Sequence, residues 1–435
     1  MGRGACSGCR HDPSAHTATT ISVNTQSDSV VPPPVPHSPA ALQSAIADAY
    51  ASAIPLRIVG SGTWLTAGRP VSAPQHLSTK SLSGIIEYVP GDLVLTAHTG
   101  TTLEEIAQVT APHGQWLALE PYTSPAGLDT GTIGATMATA SSGPLALGYG
   151  RARDLILGVS FVTGDGTAVR AGGRVVKNVA GFDLVRLATG AWGTLGVLTQ
   201  VSLRLHARPV VDETLAIGIE LPSVPDAHDA SLRALVEQLN SAAMLGVTSS
   251  LAALVLLAHD APAAVRRVHA LPESSVLLLA RATGNRARVD ALRKALAGLG
   301  AVSVVESAIW QTIRTLETGN TVLRVTDAPL RMSATWRRVE IWRTNRQATQ
   351  VHTVMEPLRG AVRVSCQTDA TENPPWSIPE RAIVERLPSQ AWTAVPSAVT
   401  DRISQRLRQS FDPAGILNPG ILGEATSAVA MVSPP

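Results

Sequence analysis

The amino-acid sequence predicts an α+β fold in two domains, and two observations predict it. Up to about Pro209, short apolar strands alternate with helical stretches and are punctuated by glycine turns. Beyond it the texture changes to two consecutive β-α-β units, the pattern of a ferredoxin-like α/β domain. At 435 residues the chain also exceeds one usual domain, so more than one lobe is expected.

Residues 1–38 are rich in Ser, Thr and Pro and end in VPPPVPHSP, which predicts a disordered leader. Ala40–Ala53 places Leu42, Ile46, Ala49 and Tyr50 at helical spacing, and Pro39 suits its first turn. Leu56–Val59 is a short apolar strand running into GSGTW. Leu93–Ala97 reads as a second strand, and Thr102–Thr110 as a helix with Leu103, Ile106 and Ala107 on one face. Leu155–Val162 and Ala168–Ala171 flank Gly164-Asp165-Gly166, a hairpin signal. Val197–Leu205 alternates as a strand. In the second domain, strand Thr214–Ile219, a helix near Ala227–Ala243 and strand Leu251–Ala258 make one unit. Strand Val276–Ala282, helix Arg286–Ala297 and strand Val302–Val305 make the next. A less regular section holds Leu323–Val325, Arg337–Trp342 and a Pro-rich loop around Asn373–Pro379. The last helix, Val399–Ser410, puts Val399, Ile403 and Leu407 on one stripe and arginines on the other, before FDPAGILNPG.

Composition excludes several function classes. A net charge of +2 and 3% aromatic residues give no nucleic-acid footprint. Lysine occurs only at Lys80, Lys177 and Lys294, so nearly all positive charge is arginine. Three cysteines (Cys6, Cys9, Cys366) build no disulfide framework, which fits a reducing compartment. Cys6-x-x-Cys9 with His11 and His16 lacks a second ligand pair, so no metal site is expected. No apolar run reaches the ~18–20 residues that span a bilayer, and no signal-peptide core is present. The expectation is a cytoplasmic protein, or one peripheral at the inner membrane through partners.

Three motifs carry chemistry. Gly60-Ser61-Gly62-Thr63 follows a strand and can present successive N–H groups to a pyrophosphate, although such a turn is more often only a turn. It has neither the Gly-Lys-Ser/Thr end of a P-loop nor the helix of a dinucleotide fingerprint. Thr130–Gly143 is a run of very small residues, suited either to close cofactor approach or to a tightly packed helix. Gly172–Leu205, GGRVVKNVAGFDLVRLATGAWGTLGVLTQVSLRL, joins a glycine pair, Lys177 and Asn178 to three glycines before a strand. Those glycines let backbone approach a flat ligand. Taken singly, Lys177, Asn178 and Asp183 are equally well surface polar residues, and Arg153-Asp154 a structural pair.

In this order, the motifs resemble the FAD-binding domain of the vanillyl-alcohol oxidase/p-cresol methylhydroxylase (PCMH) superfamily, over about Ala40–Pro209. Within it, GGRVVKNVAGFD…GAWGTLG, LEPYTSP…GTIGATMATASSGP and FDPAGILNPG are similar to the FAD-binding E subunits of bacterial glycolate oxidases. The resemblance implies a two-lobed PCMH-type FAD-binding domain at 39–209, a cap for substrate or partner at 210–398, a returning C-terminal helix and segment at 399–423, and a tail at 424–435. It implies that Gly60, Ser61, Gly62 and Thr63 hold the FAD pyrophosphate, and that Thr132, Ile133, Gly134, Ser141 and Gly143 line the flavin and ribityl chain. Lys177, Gly181, Asp183, Gly193, Gly196 and Val197 would enclose the adenosine end, and Asn418 would approach the isoalloxazine. Several relatives attach FAD through a histidine in the pyrophosphate loop. Thr63-Trp64 stands there instead, so non-covalent FAD is expected.

The implied activity is oxidation of small 2-hydroxy acids such as glycolate, in a complex with a larger catalytic FAD subunit and an iron–sulfur subunit. Relatives that oxidise such acids carry a C-terminal cluster built around H-x-G-D-G-N, which this sequence lacks. Arg324, Arg331, Arg337, Arg338 or Arg343 could hold a substrate carboxylate, but no base stands out and no catalytic residue is assigned. An accessory or electron-relaying subunit and a stand-alone FAD-dependent dehydrogenase both remain open.

Overall fold

Among the described residues the chain builds two large sheets and two two-stranded pairs, and the change from the first large sheet to the second falls near Ala207–Val211. A computed structural model describes residues 36–122, 131–173, 182–244, 247–258, 276–316, 319–369 and 378–424, with Met1 and Val265. Ser38 accepts from Ala41 N, and Pro39 fills the first turn of α1 (Pro39–Ala51), which buries Leu42, Ile46 and Ala49. β1 (Leu56–Val59) pairs in parallel with β2 (Gln75–Ser78). β3 (Ile85–Val89) and β4 (Val94–His98) follow, then α2 (Leu103–Thr110), started by a reciprocal Thr102–Glu105 capping box. A short β5 (Gln115–Trp116), α3 (Ile133–Thr139) and α4 (Ala146–Tyr149) lead to the hairpin of β6 (Ile156–Val162) and β7 (Ala168–Gly172). α5 (Leu184–Ala188), β8 (Val197–Arg204) and β9 (His206–Ala207) complete this part. β3-β4-β8-β6-β7 is an antiparallel sheet, and α3 buries Ile133 and Met137 in the apolar cluster that holds Leu95, Val201 and Leu203.

The second sheet has eight strands. β10 (Val211–Ile219), α6 (Pro225–Met244), β11 (Leu251–Ala258), β12 (Val276–Gly284), α7 (Arg286–Leu296) and β13 (Val302–Val305) form a βαββαβ unit, its strands antiparallel in the order β13-β10-β12-β11. After α8 (Ile309–Thr315), the strand order repeats. β14 (Thr321–Thr326), α9 (Met332–Asn345), β15 (Thr349–Glu356), β16 (Ala361–Gln367) and β17 (Ala382–Arg386) give β17-β14-β16-β15, the same arrangement. The halves join where Leu256 and Leu257 of β11 pair with Met355 and Val354 of β15. Arg337–Trp342, read from sequence as part of an irregular section, lies inside α9, which buries Met332, Trp336, Val339 and Trp342 at helical spacing. Most of the loop around Asn373–Pro379 lies outside the described residues.

The last helix departs from its expected face. α10 (Arg402–Phe411) starts at Asp401, whose carboxylate accepts from the N–H groups of Ile403 and Ser404 at 2.9 Å. Ile403 is 79% exposed, whereas Arg408 is buried. The Arg408 guanidinium donates to Leu417 O at 2.9 Å, and this bond, rather than the apolar stripe, orients the helix.

One ion triad, with its guanidinium buried and its carboxylates partly exposed, ties the eight-stranded sheet to the segment ahead of α3. Arg281 on β12 donates to Asp212 on β10 at 2.7 Å and to Glu120, ahead of α3, at 3.0 Å. Removing the guanidinium leaves two carboxylates facing each other, which costs about 3 kcal/mol. Arg281→Met is expected to lower unfolding stability by about that amount in urea titrations. A loss below about 1 kcal/mol would show that the triad contributes little to docking.

Candidate cofactor site and the adjoining chamber

β1 carries Arg57, Ile58 and Val59 into the turn Gly60–Trp64, where Gly62 takes φ +88°. A Cβ on Gly60 would stand 2.7 Å from Thr132 Oγ1, and one on Gly134 2.6 Å from Thr99 Cβ. Gly60 therefore lets the turn approach the start of α3, and Gly134 lets α3 approach Thr99, because neither carries a side chain. The outward side of α3 (Ala135, Ala138, Thr139) faces a cleft of about 760 Å³, part of it open to solvent. Gly193, Gly196 and Val197 supply the opposite wall. Small-residue packing and cavity lining, alternatives at the sequence level, are thus two faces of one helix.

The C-terminal segment ties these walls together. Buried Asn418, at φ +45°, donates its backbone N–H to Leu56 O at 2.9 Å and accepts from Ile58 N through Oδ1 at 2.8 Å. Its Nδ2 donates to Trp192 O at 2.7 Å. Upstream, the Asp412 carboxylate accepts from Ile416 N and Leu417 N at 3.0 and 2.9 Å, which shapes the turn of FDPAGILNPG. Burial pushes the Asp412 carboxyl above its ordinary range.

Three buried polar atoms at this site have no partner: Arg57 Nη1, Ser61 Oγ and Thr63 Oγ1. Such groups are rare in folded proteins because desolvation is costly unless a hydrogen bond replaces water. Burial alone lowers the Arg57 pKa, and no carboxylate lies within ion-pair distance among the described residues. One cation and two hydroxyls at the base of a glycine-lined cleft fit a ligand with several anionic oxygens and a flat ring, as FAD has.

A model of the FAD binding domain family matches residues 35–172. Residues 35–172 are an FAD-binding domain. Its cofactor is FAD, and the resemblance expected from sequence holds. Glycolate oxidase subunit GlcE of Escherichia coli (strain K12) is 39% identical over 181 residues, covering 42% of this chain and 51% of that protein. A D-lactate dehydrogenase of Archaeoglobus fulgidus is 32% identical over 175 residues, 40% of this chain and 38% of that protein. The alignments thus span about half or less of these curated relatives. Among solved structures, 4-ethylphenol oxidase from Gulosibacter chungangensis superposes with a TM-score of 0.65 at 14% identity, over 91% of this chain and 89% of that one. An alkyldihydroxyacetonephosphate synthase gives 0.61 at 15% identity, over 88% and 75%. At those identities the likeness is one of fold.

The residues expected to hold FAD scatter in an informative way. Gly60, Gly62, Thr63, Gly134, Gly193, Gly196, Val197 and Asn418 line the cleft, and Ser61 lies in the same turn. Thr132 caps α3 by accepting from Ala135 N, and Ile133 is fully buried in the apolar core. Gly196 also packs against β6, where a Cβ would meet Phe161 at 2.5 Å. Ser141 lines a second cavity rather than the cleft, and Gly143 packs on Glu120 O. Asp183 is exposed, caps α5 and pairs with Arg186. Lys177 and Gly181 lie outside the described residues, as do Cys6 and Cys9. Arg57 was missed, though a lone cation inside the apolar strand LRIV is a visible signal.

That second cavity, a chamber of about 1990 Å³, part of it open to solvent, lies between the FAD-binding domain and the eight-stranded sheet and shares Trp64, Thr139 and Trp192 with the cleft. The two indoles meet edge to face with centroids 6.4 Å apart. Of the arginines expected to bind a carboxylate, only Arg324 lines the chamber. Arg331 lies outside its wall, Arg337 pairs with Asp229, Arg338 with Asp327, and Arg343 with Glu340. Among the described residues no group of side chains could hold a metal ion, and none of the described helices is long and apolar enough to cross a membrane.

Two substitutions separate ligand binding from folding. Arg57→Met and Thr63→Val remove groups with no protein partner, so the apoprotein should melt no lower than the parent. FAD affinity, read by titrating the apoprotein, should fall about tenfold or more in each. Asn418→Ala should lower both affinity and melting temperature, because it breaks two backbone contacts. Unchanged FAD affinity in Arg57→Met would assign its guanidinium to packing instead.

Proposed function

We propose that this chain is the FAD-binding subunit of a glycolate-oxidase-type complex and takes part in oxidising small 2-hydroxy acids as an accessory or electron-relaying subunit. The similarity to GlcE and to a D-lactate dehydrogenase supports the substrate class. A protein from Bacillus subtilis (strain 168) named glycolate oxidase subunit GlcD is also similar, at 29% identity. A larger FAD subunit and an iron–sulfur subunit are the proposed partners, and they would account for any association with the inner membrane.

The observation that carries the relaying role is the state of the chamber's acids. Removing a hydride from a hydroxyl-bearing carbon requires a side chain that accepts the hydroxyl proton. Asp327, Glu356 and Glu385 line the chamber, and each is held by arginine. Burial opposes ionisation of Glu385, but Arg363 and Arg324 outweigh it and hold its carboxyl well below the usual range. No histidine is among the lining residues described. FAD supplies the hydride- or electron-accepting chemistry when bound. The chain's own residues orient it: the Gly60–Thr63 turn and Arg57 hold the anionic part, and Asn418 fixes the walls. Thr63-Trp64 stands where some relatives are expected to carry an attaching histidine, so the cofactor is proposed to be dissociable.

The isolated chain, loaded with FAD, should keep its flavin absorbance when glycolate or D-lactate is added without oxygen. The same sample should bleach once the larger flavoprotein subunit is present. Bleaching of the isolated chain would instead establish a stand-alone dehydrogenase, and failure of the folded chain to take up FAD would overturn both readings.

A further inference from the structure

Trp192 holds a backbone conformation that its neighbours take more easily. Its φ is +54°, between Gly190 at +83° and Gly193 at +70°. Glycine occupies this left-handed region freely, whereas a bulky residue there is strained and persists only where its surroundings hold it. Trp192 N donates to Ala138 O at 2.8 Å, and Trp192 O accepts from Asn418 Nδ2 at 2.7 Å. Both bonds are made by the main chain of Trp192, so neither requires an indole at this position. The ring is held as well. A Cβ on Gly68 would stand 3.1 Å from Trp192 Cζ3, and Trp64 meets the indole edge to face, with the planes at 83°. A strained residue fixed at both backbone and ring thus presents one indole on the wall of the cleft.

The cleft calls for two kinds of ligand group. Arg57 Nη1, Ser61 Oγ and Thr63 Oγ1, buried without partners, match the diphosphate. The indole matches a second aromatic plane instead. FAD carries two such planes, adenine and isoalloxazine. Trp192, Trp64 and Thr139 are also the residues that the cleft shares with the chamber. A redox ring must exchange electrons with something outside its own cleft, and adenine has no such need. The ring at this border has the chamber beside it. We infer that the isoalloxazine of bound FAD rests on the Trp192 indole, with Trp64 as a positioning residue that braces that indole. Gly193, where a Cβ would stand 3.0 Å from Asn418 Nδ2, then lies at the flavin end of the cleft. The adenosine end, its place by sequence resemblance, falls elsewhere in the cleft.

The test titrates the full-length apoprotein with FAD and, separately, with ADP, which carries the adenosine and diphosphate but no flavin. Trp192→Leu should weaken FAD binding by about tenfold, the worth of one stacked aromatic face, and leave ADP affinity unchanged. Arg57→Met should weaken both ligands. Flavin emission gives a second reading, because an indole touching an excited isoalloxazine donates an electron to it and quenches it. FAD bound to the parent should therefore be dim. Trp192→Phe should keep most of the affinity yet brighten, since a phenyl ring stacks but is a far poorer electron donor. Parent-like FAD affinity and emission in a folded Trp192→Leu variant would overturn the inference and assign the indole to packing against Gly68. Equal loss of ADP and FAD affinity would overturn it by placing the adenosine on the indole. A bright parent complex, unchanged in Trp192→Phe, would overturn it as well. A folded parent that binds neither ligand would overturn the cofactor site together with this inference.

Discussion

The cofactor site depends on one side-chain amide. Asn418 reaches β1 through Ile58 and the glycine loop through Trp192, and its backbone extends the contact to Leu56. Trp192 N and Gly190 N also donate to Ala138 O and Met137 O of α3, at 2.8 and 3.0 Å, so the loop is held from both sides, and a cleft with fixed walls suits a flat ligand. The left-handed backbone of Asn418 is the cost of aiming its amide both ways, and asparagine tolerates that conformation better than most residues. Asp412 and Arg408 serve the same end one turn earlier by satisfying the backbone of Ile416 and Leu417.

Charge organises the neighbouring chamber as hydrogen bonding organises the cleft. The FAD-binding domain contributes Arg151, and the opposing sheet contributes Arg359, Arg324 and the acids that hold them. Neither side forms the chamber by itself. Its geometry follows from docking, which the Arg281 triad fastens at Glu120. Buried ion pairs of this kind add little net stability, but they fix orientation because an unpaired partner is so costly.

Much of this was legible in the sequence. GSGT, GAWGTLG and the small-residue run mark places where backbone must come close, and glycine is the residue that permits it. Residues of those motifs line the cleft, from Gly60 to Gly196. The first βαββαβ unit was equally readable, because Leu251–Ala258 is an unbroken apolar run and Val276–Ala282 is interrupted only at Arg281. Its repeat was obscured by arginines within α9, although Met332, Trp336, Val339 and Trp342 keep the helical period. Ile403 misled in the opposite direction: its spacing suggested a buried stripe, but a hydrogen-bonded arginine took the inner face. Arg57 left a signal as a lone cation inside the apolar strand LRIV, but its lack of a partner is a property of the folded neighbourhood.

The contact between Ile58 and Asn418 spans 360 residues of chain. A ribosome that has just released β1 must therefore make the whole eight-stranded sheet before the amide that completes the cleft exists. Local pairings of the first sheet form early, whereas this closure waits for nearly all of translation. Flavin loading is accordingly a late event in the life of the polypeptide, reserved for chains that have already assembled both halves.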